Sequence, residues 1–227
     1  MKMQKDIERE DKRTPLAQLR EDQILAAAKH IFAQNGYHCT KIEQIANYLT
    51  IGKGTIYRYF KDKKSLFLAV FERGLQQMRE RMQMLVEPIN DPAQKIAAAV
   101  KNYFEFFDND RELIEIQMQV RSEFKDEYKQ IYISLYSNYI EKIHENLQNG
   151  IKMGVFREMD VSKTAEVISS TLQGVLQSFY TREFGPKRQN SKDITAGPHM
   201  ELLKDRIEAV TSLLLKGVLK EKNASGF

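Results

Sequence analysis

Residues 40–64, TKIEQIANYLTIGKGTIYRYFKDKK, decide the fold. Ile42, Ile45, Ala46 and Leu49 recur at helical spacing and predict a short helix with one apolar stripe. Thr40 is placed to cap it, its hydroxyl accepting the amide of Glu43 while that carboxylate reaches back. A second short helix, from Lys53 to Phe60, has only Ile51, Ile56 and Phe60 to turn inward. That leaves Lys53, Thr55, Tyr57, Arg58 and Tyr59 largely outside. A two-turn helix is not stable by itself, so core formation alone does not explain an outward face of donors and aromatics. Laid in a major groove, the same face has a use: Lys and Arg reach guanine O6 and N7, a threonine methyl meets a thymine methyl, and tyrosine hydroxyls bond phosphates. The alternative is a helical protein-interaction module whose solvated basic face meets an acidic partner without reading DNA sequence.

Upstream, Thr14 and Pro15 supply a cap and a first-turn proline. Ile24, Leu25, Ala28, Ile31 and Phe32 then form an apolar stripe that ends at Asn35-Gly36. Downstream, Asp62 is the expected cap of a long helix from about 63 to 86, stopped by Pro88 and by Asp91-Pro92. Helical periodicity continues over about 92–107, 111–121, 123–148, 161–184 and 200–219, with Asp160 as a further cap. Alternation of period two is nowhere sustained. The expected fold is all α, with nine or ten helices: a three-helix head carrying a helix-turn-helix and a larger helical body. The expected division is a flexible tail at 1–13, a helix-turn-helix head at 14–64 and the helical body at 65–227. Lys12 and Arg13 in the tail, and the polar segment 185–198, are read as mobile.

Composition narrows the partner. With 42% hydrophobic and 29% charged residues, a 227-residue chain has a globular rather than a disordered balance. The net charge of +4 is unevenly distributed: residues 1–64 hold 13 Lys+Arg and 8 Asp+Glu, a balance of +5, and the remainder stands at −1. Basicity therefore sits with the helix-turn-helix, which favours a polyanion there. No apolar run approaches the roughly 20 residues of a membrane span, the first residues carry no apolar signal core, and the single Cys39 fits a reducing compartment. A cytoplasmic location with no membrane partner is the expectation. The four histidines are scattered, and no metal-ligand spacing, phosphate loop or nucleophile elbow is present, so neither an enzyme, a metal site nor a cofactor is expected.

Asn35-Gly36-Tyr37, Thr40, Ile45-Ala46, Lys53-Gly54-Thr55-Ile56-Tyr57, Tyr59-Phe60, Lys63 and Leu66 together resemble the N-terminal domain of the tetracycline-repressor (TetR) family of bacterial transcription regulators. The resemblance covers about residues 16–70. It implies a DNA-binding domain at 14–64 and an effector-binding and dimerisation domain at 65–227, in a homodimer, usually a repressor, that reads a near-palindromic double-stranded DNA operator and is released by a small-molecule effector bound in the body. By the same resemblance Lys53, Gly54 and Thr55 approach base edges, Tyr57, Tyr59 and Lys63 hold phosphates, and Thr40 meets the backbone; Arg58 is added from its chemistry. Two positions depart from the family pattern: Thr50 stands where glycine is usual, and Gly52 stands where a Ser or Thr cap is usual. A positive φ at position 50 would cost a β-branched residue about 1–2 kcal/mol.

The body is rich in aromatics. Tyr103, Phe104, Phe107, Met118, Phe124, Tyr128 and Phe179 are candidates to line a pocket for an apolar or amphipathic effector, such as a fatty-acyl compound or a lipophilic drug. Arg121 is the candidate to meet an anionic group of that effector, or else to pair with a nearby glutamate. The last two helices are expected to form a four-helix dimer interface, or to close the monomer's own core.

Overall fold

The structure, a computed structural model, describes residues 14–184 and 200–220. The expected tail with Lys12 and Arg13, and the segment 185–198, lie outside the described residues. Among the described residues nine helices run in order: α1 Pro15–Cys39, α2 Ile42–Tyr48, α3 Lys53–Tyr59, α4 Lys63–Leu85, α5 Pro92–Asn109, α6 Arg111–Glu123, α7 Lys125–Lys152, α8 Val161–Phe184 and α9 Met200–Val218. The only β pairing among them is an isolated bridge between Phe156 and Leu219.

Local chemistry sets the boundaries. Thr14 caps α1 by accepting the amide of Ala17, with Pro15 in the first turn. Asp62 and Ser65 cap α4 reciprocally: each side chain accepts the other's backbone N–H, at 2.7 and 3.0 Å. Asp91 and Asp160 do the same service for α5 and α8 through the amides of Gln94 and Lys163. Gly36 has φ +77° and breaks α1 between Asn35 and Tyr37, as the Asn35-Gly36 signal anticipates.

The described residues form two compact units. The first comprises residues 14–74 with Glu112–Tyr128; the second comprises Leu75–Arg111 with residues 129–184 and 200–220. The boundary therefore differs from the expected one at residue 64. The start of α4 stays with the helix-turn-helix because Leu66, Phe67, Val70 and Phe71 are buried in the first unit's core. The segment 112–128 also joins that core: Phe67 lies 4.8 Å from Phe32, 4.9 Å from Tyr37 and 6.0 Å from Phe124, centroid to centroid. Gly74 admits a close approach, since a Cβ there would sit 2.2 Å from Leu113 Cδ1. Leu113 is fully buried. Gly74→Ala is expected to destabilise the first unit by about 1–3 kcal/mol through overpacking, read as a lower urea midpoint.

In the second unit α5 packs against α9 and touches α8. Its inward set includes Ile96, Val100, Tyr103, Phe104 and Phe107, all buried. Asp108 and Arg111 make a buried ion pair at the α5–α6 corner, Nη2 to Oδ1 at 2.8 Å.

Candidate nucleic-acid interface

The helix-turn-helix is built on a buried set: Ile42, Ile45 and Ala46 of α2, Ile56 of α3, and Phe60 just after it. Its turn closes in the Schellman pattern. Thr50 N–H donates to Asn47 O at 3.0 Å and Ile51 N–H to Ala46 O at 2.9 Å. That pattern requires a left-handed residue, and Thr50 adopts φ +54°. The family departure at this position is thus absorbed as strain at Thr50 itself, with the turn geometry kept. Thr50→Gly is expected to stabilise the first unit by about 1 kcal/mol, measured as a higher urea midpoint at unchanged slope.

On α3, Lys53, Gly54, Tyr57 and Arg58 are exposed, while Thr55 and Tyr59 are half-buried. The Lys53 ammonium donates to Glu43 Oε1 of α2 at 3.1 Å. Glu43 is held below the ordinary glutamate range, first by its own backbone amide and then by Lys53. An ammonium has three donors, so the pair orients Lys53 and leaves two donors outside it. Gly52 begins α3 with no side-chain cap hydrogen bond.

Two residues expected at the interface face the other way. Thr40 does not cap α2; Lys41 is the N-cap, and Gln44 Oε1 accepts its amide at 2.7 Å. The Thr40 side chain is buried, its hydroxyl donating to Gly36 O at 2.8 Å, and its N–H goes to the same carbonyl. Both donors are spent inward, so a phosphate contact through them is corrected to a structural tie. Lys63 is also drawn toward α1. Its Nζ donates to Tyr37 O at 2.8 Å, Thr40 O at 3.0 Å and His38 O at 3.4 Å, and lies 4.4 Å over the Tyr37 ring. It neutralises the carbonyl end of α1.

Two family models match this chain, "Bacterial regulatory proteins, tetR family" over residues 24–70 and "Tetracyclin repressor-like, C-terminal domain" over residues 90–179. The chain belongs to the TetR family. It is a helix-turn-helix, DNA-binding transcription regulator of that family. Among similar proteins, the fatty acid metabolism regulator protein of Bacillus subtilis is 32% identical over 100 residues, 44% of this chain and 52% of that protein. The HTH-type transcriptional activator FasR of Mycolicibacterium smegmatis is 30% identical over 93 residues, 41% of this chain and 42% of that one. The aligned stretch thus spans about half the length of these relatives. A crystal structure of FadR from Bacillus subtilis in complex with stearoyl-CoA superimposes with a TM-score of 0.71 at 25% identity, covering 86% of this chain and 97% of that one.

The eight residues expected to line an effector pocket divide between the TetR-family chain's two units. Tyr103, Phe104, Phe107 and Phe179 are buried in the second. Met118, Arg121, Phe124 and Tyr128 belong to the first, where Met118 and Arg121 are exposed. Phe124 stands edge-on to Tyr37 at 4.9 Å, with the Lys64 ammonium 4.8 Å over its ring, and Tyr128 stacks on Phe71 at 5.7 Å. Lys64 also pairs with Glu127. Periodicity marks buried faces without saying which core receives them.

Sequence reading also passed over the groups that tie α6 to α1. Glu112 Oε1 meets His30 Nδ1 at 2.6 Å, and Glu123 Oε2 meets His38 Nε2 at 2.7 Å. Between them Gln119 accepts the Tyr37 N–H at 2.8 Å and donates to Phe32 O at 3.3 Å. Glu112, Gln119 and Glu123 recur at helical spacing, a polar stripe that was the available signal.

Proposed function

We propose that the chain is an effector-responsive regulator whose homodimer binds a near-palindromic operator through α3 and is released by a long-chain acyl thioester. The observation that carries the DNA-reading part is the outward face of α3, where exposed Lys53, Gly54, Tyr57 and Arg58 stand on a buried Ile56 and Phe60. Lys53, Gly54 and Thr55 are assigned to base edges, and Tyr57, Arg58 and Tyr59 to phosphates. Lys53→Ala is expected to cost about 1–2 kcal/mol on the operator and to relax preference at one base pair. Titration against an operator selected from a random duplex pool measures it.

Support for the effector class comes from the aromatic core of the second unit and from the stearoyl-CoA bound in the similar FadR structure. The similarity to a fatty acid metabolism regulator points the same way. Stearoyl-CoA at micromolar concentration is expected to release the selected operator while coenzyme A alone does not; release by neither removes the acyl-thioester reading. Support for the dimer comes from α8 and α9. Val167 and Leu213 are 60% and 66% exposed, and Val175, Phe179, Ala209 and Val210 line a shallow groove of about 330 Å³. A second copy would cover this apolar face. Light scattering at micromolar concentration is expected to give twice the chain mass, and a monomer would overturn the claim.

A further inference from the structure

The break in α1 sits where the helix-turn-helix is attached. At Gly36, with φ +77° and ψ 161°, the helical hydrogen-bond ladder is interrupted, so backbone groups on either side of the break need other partners. One side chain serves both sides. Gln119 of α6 accepts the N–H of Tyr37 just after the break and donates to the carbonyl of Phe32 just before it. Among neutral side chains only an amide offers a carbonyl acceptor and an N–H donor at one tip. The segment that Gln119 holds is in turn the anchor for the starts of α2 and α4. Gly36 O takes both donors of Thr40, and Lys63 gathers Tyr37 O and Thr40 O. Thr40 lies two residues before α2, and Lys63 is the first residue of α4. The flanking pairs His30–Glu112 and His38–Glu123 hold α6 alongside α1 on either side of this contact.

We propose that Gln119 is a positioning residue for DNA recognition: by bridging the Gly36 break it sets the angle at which α2 and α3 leave α1. It touches no base. It decides whether the face of α3 is presented in register with base edges, while the charge that draws any duplex toward the head is left as it was. The inference rests on the sequence-specific DNA reading proposed above.

Gln119→Met keeps the shape of the side chain and removes both hydrogen bonds. Gln119→Glu keeps an acceptor for Tyr37 N–H and sets an oxygen against Phe32 O. Each full-length variant is titrated against the selected operator and against a random duplex, well below its unfolding temperature, with the active fraction set by stoichiometric titration. The expected result for Gln119→Met is a loss of operator affinity of about tenfold, the scale of one part-buried N–H left unsatisfied. Random-duplex affinity stays within about twofold, and Gln119→Glu falls between the wild type and Gln119→Met. A purely structural role lowers the unfolding temperature and leaves the ratio of operator to random affinity unchanged, which overturns the proposal. If Gln119→Met does not fold, the ratio for Gln119→Glu decides in the same way. A wild-type protein that selects no discrete sequence would instead overturn the DNA-reading proposal beneath it.

Discussion

Phe124→Ala lowers the stability of the first unit by about 2–4 kcal/mol and weakens operator binding, and it leaves effector affinity within about twofold. The ring is half-buried, edge-on to Tyr37 at 4.9 Å and 6.0 Å from Phe67, with an ammonium above it. Truncating a packed phenylalanine costs about 3–5 kcal/mol when fully buried, and partial exposure reduces that figure here. Aromatic and cation–π geometry each add about 0.5–1 kcal/mol. Urea unfolding measures the first effect and calorimetric titration with stearoyl-CoA the second. A variant with intact stability and lost effector binding would return Phe124 to the ligand site that its place in the sequence suggests.

Lys63→Met is the second large effect, expected at about 2–3 kcal/mol of stability with the salt dependence of random-duplex binding unchanged. Methionine fills the same space and has no donors. The three carbonyls that Lys63 gathers belong to Tyr37, His38 and Thr40 at the end of α1, where the helix presents partial negative charge. Hydrogen bonds from a charged donor are worth about 1.5–3 kcal/mol each; Lys63 is only half-buried, so water recovers part of the loss. The contrasting outcome is specific. A lysine that held a phosphate would leave stability alone and flatten the logarithmic salt slope by about 0.9.

These two residues mark the limit of what local pattern conveys. Helix ends were legible because a cap is a contact between near neighbours: Thr14 with Ala17, Asp62 with Ser65, Asp91 with Gln94, Asp160 with Lys163. The break at Gly36 was legible for the same reason, since a positive φ is a property of one residue. Thr50 shows the opposite balance. Its side chain disfavours φ +54°, yet the Schellman hydrogen bonds and the buried Ala46 hold it there.

Tertiary contacts set a further limit on what the aromatics reveal. Tyr103, Phe104, Phe107, Phe124 and Tyr128 look alike in sequence, and each does turn an aromatic ring toward other apolar groups. Which neighbours receive the ring depends on contacts across tens of residues, such as Phe124 with Tyr37 and Tyr128 with Phe71. No periodicity encodes that pairing.

By itself the sequence determined an all-α TetR-family chain, the extents of its helices to within a few residues, and the outward face of α3, because each follows from spacing and capping over one or two turns. Only the tertiary structure decided that 112–128 belongs with the helix-turn-helix unit and that Thr40 and Lys63 turn inward. The physical reason is shared: the carbonyls and amides freed by the break at Gly36 must be satisfied, and Thr40, Lys63 and Gln119 reach them from positions up to 87 residues apart in the chain.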